Sequence, residues 1–271
     1  MNNVAVYCGT RNVYSTMEVA AKSLLCHTPV DRIHFMIEDK TFPGYLPDII
    51  SVHDVSGQQW FDPSGPNYLS DWTYMTLMRL AFTKIFPQYD QVLYLDTDTI
   101  VLQDISSLLS IDLGDMLFAM VRGDVGEIPL EICNAFAIIH SGIASFRSDN
   151  PRKDFCIRPY YNAGVLLMNL HLLRETGIDD RMIDYINHTR HDYPDQDVIN
   201  LMCHNRILEI PTEYNTIPAM FPDFPNERIR IKHFASDKPL WKSSLWQQYR
   251  RLSWDAVMCK QHALKGVQHE G

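Results

Sequence analysis

Clustered cysteines, basic runs and long apolar stretches are all missing from this chain of 271 residues. Its six cysteines lie far apart with no CxxC pair, which argues against a zinc knuckle and favours free thiols in a reducing cytosol. Acidic residues outnumber basic residues by 33 to 24, and the net charge of -9 argues against a sequence-independent nucleic-acid binder, because such a protein needs a basic face. No apolar run approaches membrane-spanning length and no signal peptide is evident, so we expect a cytoplasmic protein.

The apolar segments near the N-terminus alternate between strand and helix patterns. Residues 4–8 show a buried-strand pattern, a helix pattern follows, and residues 32–37 and 49–52 show two further strand patterns. Strand, helix and strand at this spacing predict an α/β protein with a doubly wound sheet. Further along, Asp71 can cap a helix that extends to Pro87, residues 178–188 show an amphipathic helix pattern, and residues 241–258 show a helical pattern. No linker divides the chain, so we interpret residues 1–241 as one domain and residues 242–271 as a helical tail.

Two aspartates separated by one residue follow the apolar run at residues 91–95. In an extended chain, side chains two residues apart point to the same side, so Asp96 and Asp98 can face one point in space. The carboxyl end of a buried strand is where an open α/β sheet binds its ligand, and paired carboxylates suit a hard divalent cation. A polar turn that ends the strand is the alternative interpretation.

Three basic side chains are candidates for the same site. His233 ends a strand pattern and could add a nitrogen ligand to the two carboxylates, a set that suits Mn²⁺; a histidine packed at a strand end is the alternative. Lys238 could hold a phosphate as a point charge or could be solvated. Arg79 lies in an apolar run, where it either has a buried partner such as a diphosphate or an aspartate, or lies on the wet face of its helix.

Two polar triplets remain, and each has two interpretations. Asn162-Ala163-Gly164 precedes an apolar strand pattern and either lets the backbone approach a ligand closely or makes a tight turn. Asp195-Gln196-Asp197 starts a helix pattern, where either aspartate can cap the helix and stabilise its first turn. Capping leaves the choice of Gln196 unexplained.

Five segments occur in an order that resembles glycosyltransferase family 8, the retaining enzymes that include glycogenin and bacterial lipopolysaccharide galactosyl- and glucosyltransferases. The segments span most of the chain and are Met78-Arg79-Leu80, residues 93–98, residues 161–170, residues 195–200, and His233-Phe234 with Lys238-Pro239. Each segment alone is a weak signal, whereas five in the right order are a strong one.

The resemblance implies a GT-A fold for residues 1–241, which is a Rossmann-like nucleotide-diphospho-sugar transferase with a mixed, mostly parallel sheet flanked by helices. It implies a Mn²⁺ ion, or Mg²⁺, held by Asp96, Asp98 and His233. Asp195 and Gln196 match the catalytic residues beside the anomeric carbon. The resemblance assigns the UDP-sugar donor to Thr10, Tyr14 (which would cover the uracil), Arg79, Asp96, Thr97, Asp124, Asn162 and Lys238.

The implied activity is that of a Mn²⁺-dependent retaining hexosyltransferase in bacterial glycan biosynthesis. It would move glucose or galactose from a UDP-sugar to a glycan, glycolipid-type or other hydroxyl acceptor with an α linkage. Two alternatives stay open, a non-catalytic sugar-nucleotide-binding module and a sugar-phosphate nucleotidyltransferase. A nucleotidyltransferase would need a glycine-rich phosphate loop, and Gly9-Thr10-Arg11 resembles such a loop only weakly. The tail carries Trp241, Trp246 and Trp254, which could rest on a membrane surface or take part in helix packing.

Overall fold

The computed structural model describes residues 3–69, 73–123, 159–235 and 240–268. Seven strands of this part form the main sheet. In chain order they are β1 (Val4–Gly9), β2 (Arg32–Ile37), β3 (Ile50–Asp54), β4 (Gln91–Leu95), β6 (Phe118–Arg122), β7 (Tyr161–Asn169) and β8 (Ile207–Ile210). Two shorter strands, β5 (Thr99–Val101) and β9 (Ile231–His233), pair with each other in a separate antiparallel ladder.

The main sheet is mixed and mostly parallel, in the order β3-β2-β1-β4-β7-β6-β8. β1 pairs in parallel with β2 and β4, β2 pairs in parallel with β3, and β6 pairs in parallel with β8. β7 is antiparallel to both of its neighbours, β4 and β6. This arrangement confirms the fold class predicted from the sequence.

Nine α-helices lie in the described part of the chain. They are α1 (Tyr14–His27), α2 (Tyr74–Leu77), α3 (Phe82–Ile85), α4 (Ser106–Leu109), α5 (Leu170–Thr176), α6 (Ile178–His188), α7 (Pro194–Cys203), α8 (Ser244–Arg250) and α9 (Trp254–Gln268). Side chains alternate along β1, so Ala5 and Tyr7 join a core with α1, α8 and α9, whereas Val4 and Val6 join a core with α2, α3 and α5–α7. Both faces of the sheet are therefore covered, and the carboxyl ends of β1 and β4 stay accessible.

The helix predicted over residues 71–87 is wrong as a single element. The structure has α2, then a 3₁₀ turn (Met78–Ala81), then α3. At this turn Arg79 Nε donates to the carbonyl of Thr76, three residues earlier, at 2.9 Å. The same guanidinium donates to the distant carbonyl of Ala163 at 2.6 Å, so a buried tertiary contact accompanies the tighter winding. Asp71, predicted to cap the helix, lies outside the described residues.

The helical tail predicted over residues 241–258 consists of two helices, α8 and α9. Ser253 interrupts it by capping α9, where its Oγ accepts from the N–H of Ala256 at 3.3 Å. Trp246 and Trp254 are buried in the core beside α1, as the packing interpretation expects. Among the described residues, no helix has both the length and the apolar character needed to cross a membrane. The boundary between residues 241 and 242 stays a prediction.

Candidate active site

A cavity of about 1050 Å³ lies at the carboxyl ends of β1 and β4. This is the sheet edge at which α/β folds bind ligands, and the volume suits a small-molecule site. Most of the predicted site residues line it: Thr10, Arg79, Asp96, Thr97, Asp98, Asn162, Asp195, Gln196 and His233. Asp124 and Lys238 lie outside the described residues.

The two aspartates and the histidine converge at this cavity. Antiparallel pairing of β5 with β9 places His233 opposite Thr99, and the ligand atoms of Asp96, Asp98 and His233 all lie within 4.8 Å of one another. His233 Nε2 is 3.3 Å from Asp98 Oδ1 and 3.6 Å from Asp96 Oδ2. Burial acts to lower the pKa of His233, but the neighbouring carboxylates outweigh it, and the net effect is a raised pKa. Two carboxylates and an imidazole at this spacing could hold a divalent metal ion.

The two oxygens of Asp96 have different partners. Oδ1 accepts from the Tyr94 hydroxyl at 2.6 Å and from Arg79 at 3.1 Å. Oδ2 faces His233. Tyr94 and Arg79 therefore orient the carboxylate so that one oxygen stays available to a cation.

Arg79 is buried and bridges two carboxylates. Its guanidinium lies 3.1 Å from both Asp96 and Asp195, donates to the Ala163 carbonyl at 2.6 Å, and stacks on the Tyr94 ring with 3.9 Å to the centroid. The interpretation with a buried aspartate partner is thus confirmed for Arg79, and the wet-face alternative is wrong. Burial raises the pKa of Asp195 to about 6, although Arg79 acts to lower it.

Gln196 is held at both ends of its amide. Its Oε1 accepts from Asn162 Nδ2 at 3.0 Å and from the N–H of Ala163 at 2.9 Å, and its Nε2 donates to the Tyr160 hydroxyl at 2.9 Å. The Tyr160 hydroxyl in turn donates to Asp197. Both lone pairs of the amide oxygen are therefore used within the protein. Within the described part of the chain, the second N–H of Nε2 has no hydrogen-bond partner and could donate to a ligand.

The open questions about the two triplets have structural answers. Asp197 lies inside α7 and accepts at 3.0 Å from the backbone N–H of Tyr193, the residue at the N-cap position, whereas Asp195 pairs with Arg79. Gly164 lies inside β7 and makes no tight turn. A Cβ at Gly164 would come within 2.6 Å of His233 Nδ1, so glycine is required here by the close approach of His233.

Tyr14 is not among the described residues that line the cavity. It is 3% exposed, and its hydroxyl donates to Asp39 at 3.0 Å and accepts from the N–H of Glu38 at 3.1 Å. Tyr14 therefore ties the start of α1 to the loop that follows β2. Thr10 does line the cavity and donates to Asn12, another lining residue, at 3.1 Å.

Several site residues escaped the sequence reasoning. Tyr94 could have been found, because it is two residues from Asp96 and so shares its side of the strand. Asn215 accepts from His233 out of a proline-rich loop that carries no local signal for this role. Trp246 and Arg250 line the cavity from α8, one helical turn apart, and only the packing of the tail reveals them.

The comparisons with known proteins define the class. A family model described as glycosyl transferase family 8 matches residues 5–244, and the chain belongs to this family. Its fold is similar to those of two solved glycosyltransferases. An active-site mutant of the galactosyltransferase LgtC superposes with a TM-score of 0.64 at 22% identity, covering 97% of this chain and 95% of that one. GlyE from Streptococcus pneumoniae superposes with a TM-score of 0.65 at 20% identity, covering 97% of this chain and 64% of that one. These likenesses identify the fold as GT-A.

Curated relatives agree with this class. Glycosyltransferase GlyA of Streptococcus pneumoniae is 30% identical over 195 residues, covering 69% of this chain and 24% of GlyA. The lipopolysaccharide 1,2-glucosyltransferase of Escherichia coli is 29% identical over 149 residues, covering 54% of this chain and 39% of that protein. The chain thus spans about a quarter of the length of the streptococcal relative GlyA.

Proposed function

We propose that the protein is a Mn²⁺-dependent retaining hexosyltransferase that takes glucose or galactose from a UDP-sugar and forms an α linkage. The observation that carries the proposal is the convergence of Asp96, Asp98 and His233 at a cavity that Gln196 and Asn162 also line. Relatives named as lipopolysaccharide 1,2-glucosyltransferase and 1,3-galactosyltransferase support the hexosyl group.

The leaving group of a sugar nucleotide is a diphosphate, so bond cleavage builds negative charge there. A divalent cation held by the Asp96, Asp98 and His233 set, Mn²⁺ or Mg²⁺, would offset this charge as a Lewis acid. Lys238 is proposed to add a further positive charge, as the family resemblance implies.

The tail offers another cation, Arg250. Trp246, one turn before it on α8, packs edge-on against Phe234 with ring centroids 6.2 Å apart, and the N–H of Phe234 donates to the carbonyl of Asp98 at 2.9 Å. Arg250, four residues after Trp246 on the same helix, also lines the cavity. Arg79 is already committed to Asp96 and Asp195, so Arg250 is the better placed of the two arginines for a phosphate oxygen.

The residues around the sugar favour substitution at its anomeric carbon on the same face that the leaving diphosphate occupies. The transition state has oxocarbenium character, and a retaining hydrolase would place a nucleophilic carboxylate beside it. Here the matching residue is the amide Gln196, a poor nucleophile held rigid by Asn162 and Ala163. The acceptor hydroxyl would then attack the same face as the departing diphosphate and pass its proton to the leaving phosphate oxygen, with Asp195 behind the amide.

The acceptor is proposed to be a glycan or a glycolipid-type molecule. Tyr193, Met220 and Trp241 are large apolar side chains that line the cavity with 37%, 40% and 58% exposure. Flat apolar surface at the cavity rim suits the C–H face of a sugar ring. The expected cytoplasmic location, and peripheral membrane contact through Trp241, belong to this proposal.

Two measurements test the proposed function. UDP-glucose or UDP-galactose should raise the melting temperature with Mn²⁺ and not without it. UDP-sugar hydrolysis with Mn²⁺ should be abolished in Asp98→Ala and kept in Asp223→Ala, an exposed aspartate outside the cavity lining. Pyrophosphate production from a nucleoside triphosphate and a sugar phosphate would instead identify a nucleotidyltransferase, and a β-linked product from the α donor would exclude retention.

A further inference from the structure

We propose that Tyr160 is a positioning residue for Gln196, because its hydroxyl links the Gln196 amide to the Asp197 carboxylate. All three side chains line the cavity, although Gln196 and Asp197 are neighbours on α7 and Tyr160 directly precedes β7. Successive side chains on a helix point about 100° apart, so a third group has to connect these two. The inference rests on the proposed function, which places Gln196 beside the transferred sugar.

The direction of each hydrogen bond around Tyr160 is set by its partner. A carboxylate can only accept, so the Tyr160 hydroxyl gives its single hydrogen to Asp197 Oδ1. The hydroxyl oxygen accepts from Gln196, whose Nε2 lies 2.9 Å away. The backbone N–H of Ala163 can only donate, and it is 2.9 Å from Gln196 Oε1. Contacts at opposite ends of the amide therefore select the same orientation.

Asp197 is a fixed anchor for the Tyr160 hydroxyl. It is 6% exposed, and both of its oxygens have partners in the protein. Oδ1 accepts from Tyr160, whereas Oδ2 accepts from the backbone N–H of Tyr193 at 3.0 Å and lies 3.6 Å from His191 Nδ1. The carboxylate cannot turn without losing one of these contacts, so it keeps the hydroxyl hydrogen of Tyr160 directed away from Gln196.

Asn200 fixes the distance between the start of β7 and the first turn of α7. It is fully buried, with an exposure of 0%, and lies one helical turn after Gln196. Its Oδ1 accepts from the N–H of Tyr161 at 2.7 Å. Its Nδ2 donates to the carbonyls of Tyr161 and Gln196, at 2.8 Å each. The backbone next to Tyr160 is thereby tied to the helix that carries Gln196 and Asp197.

The orientation of the Gln196 amide bears on the chemical step. An amide is a dipole, and its orientation decides which of its ends meets the positive charge of an oxocarbenium-like sugar. The terminal torsion of a glutamine side chain has a broad minimum, so contacts at both ends of the amide are needed to restrict it. Without the Tyr160 hydroxyl, the contact at the Nε2 end is lost, and we expect the amide to sample more orientations.

Tyr160→Phe tests this role, because it removes the hydroxyl and keeps the ring. The kcat for hexose transfer should fall about five- to fiftyfold, as for a polar group left without its partner. The KM for the UDP-sugar and the Mn²⁺ affinity should stay within about threefold of the wild type, because the loss is in the transition state.

The matched control is Tyr161→Phe, one residue further along the chain. Tyr161 is 4% exposed, its hydroxyl lies 3.5 Å from Glu209 Oε2, and it is not among the described residues that line the cavity. Its variant should keep kcat within about threefold of the wild type. Equal losses of kcat in the two variants would indicate a general effect on the fold and would overturn the proposal.

A double-mutant cycle shows whether Tyr160 acts through Gln196. Gln196→Met keeps the length of the side chain and removes the amide. In this background Tyr160→Phe should change kcat by less than about twofold, because the group that it positions is absent. A loss as large as in the wild-type background would mean that Tyr160 acts independently of Gln196, and would refute the proposed link.

The side-chain amide signals of Gln196 in ¹H–¹⁵N NMR give a readout that needs no activity. Gln196→Met assigns them. We expect one Nε2 hydrogen to exchange slowly with water in the wild type and in Tyr161→Phe, and to exchange faster, with a shifted signal, in Tyr160→Phe. If Tyr160→Phe does not fold, Asp197→Asn replaces it: the asparagine oxygen must serve the N–H of Tyr193, so its NH₂ group faces Tyr160 where the acceptor was.

Unchanged Gln196 amide signals in the folded variant would overturn the proposal. A wild type that transfers no hexose counts against the proposed function instead, and the amide signals still decide whether Tyr160 holds Gln196.

Discussion

Removal of Arg79 should leave two carboxylates without their partner, and the resulting loss in the free energy of unfolding should depend on pH. The guanidinium is 3% exposed and pairs with Asp96 and Asp195. In the metal-free protein at pH 8, Arg79→Met should lower the free energy of unfolding by about 3–5 kcal/mol, the range for breaking a buried ion pair. The cost should be smaller at pH 5, because Asp195, whose pKa is about 6, is then mostly neutral with or without Arg79.

The sign of the pH effect follows from the raised pKa of Asp195. The folded-state pKa is about 6 against a usual value of 3.8, so the folded state binds the extra proton between these values. The stability from this proton is complete below the usual pKa, is lost as pH rises through the folded pKa, and amounts to about 3 kcal/mol at most.

Urea unfolding with a chelator, at pH 5 and pH 8, measures both effects. Asp195→Asn in the Arg79→Met background should recover part of the loss at pH 8, and Asp195→Asn alone is the control. A cost of Arg79→Met below about 1 kcal/mol at pH 8, or an equal cost at both pH values, would refute the role given to the guanidinium.

Three further predictions concern separate parts of the molecule. Gly164→Ala should displace His233, since the new Cβ would come within 2.6 Å of Nδ1, and should weaken Mn²⁺ binding at least about tenfold in a titration; an unchanged affinity would contradict the contact. Burial, together with the charge of His53, lowers the pKa of His34 from 6.5 to about 4. The unfolded state therefore binds more protons between pH 4 and pH 6.5, and the free energy of unfolding should rise by up to about 3 kcal/mol as the pH increases through this window. Urea unfolding of His34→Gln should show a flatter profile there, and a slope equal to that of the wild type would be the opposing result. Arg250→Gln should raise the KM for the UDP-sugar about three- to tenfold, because a charge-assisted hydrogen bond to a phosphate oxygen is lost, and should leave the Mn²⁺ affinity unchanged. An unaltered KM would show that Arg250 does not contact the donor.

The sequence predicts well those elements whose apolar pattern is self-contained. The strand expected at residues 32–37 and the helix expected at residues 178–188 have the observed bounds, Arg32–Ile37 and Ile178–His188. The helix expected over residues 71–87 was wrong because its winding depends on where Arg79 is anchored, a tertiary contact that no local pattern shows. The break at Ser253 depends on a single capping side chain.

The site residues also fall into two groups, those that a local sequence pattern predicts and those that only tertiary contacts reveal. Alternation along the strand places Asp96 and Asp98 together, and the cost of burying a charge indicates that Arg79, if buried, needs a partner such as a diphosphate or an aspartate. The position of His233 depends on the pairing of β5 with β9, which are distant in sequence. Asn215 could not be predicted, because its partners come from two other segments and its own loop carries no periodic pattern.

The most direct test of the central claim is a Mn²⁺ titration in the presence of UDP, followed by the electron paramagnetic resonance signal of the free ion. It compares the wild type with the single variants Asp96→Asn, Asp98→Asn and His233→Gln. We predict one bound ion per wild-type chain and affinity at least about tenfold weaker in each variant. A wild type that binds no ion, or three variants that bind it as tightly as the wild type, would contradict the account.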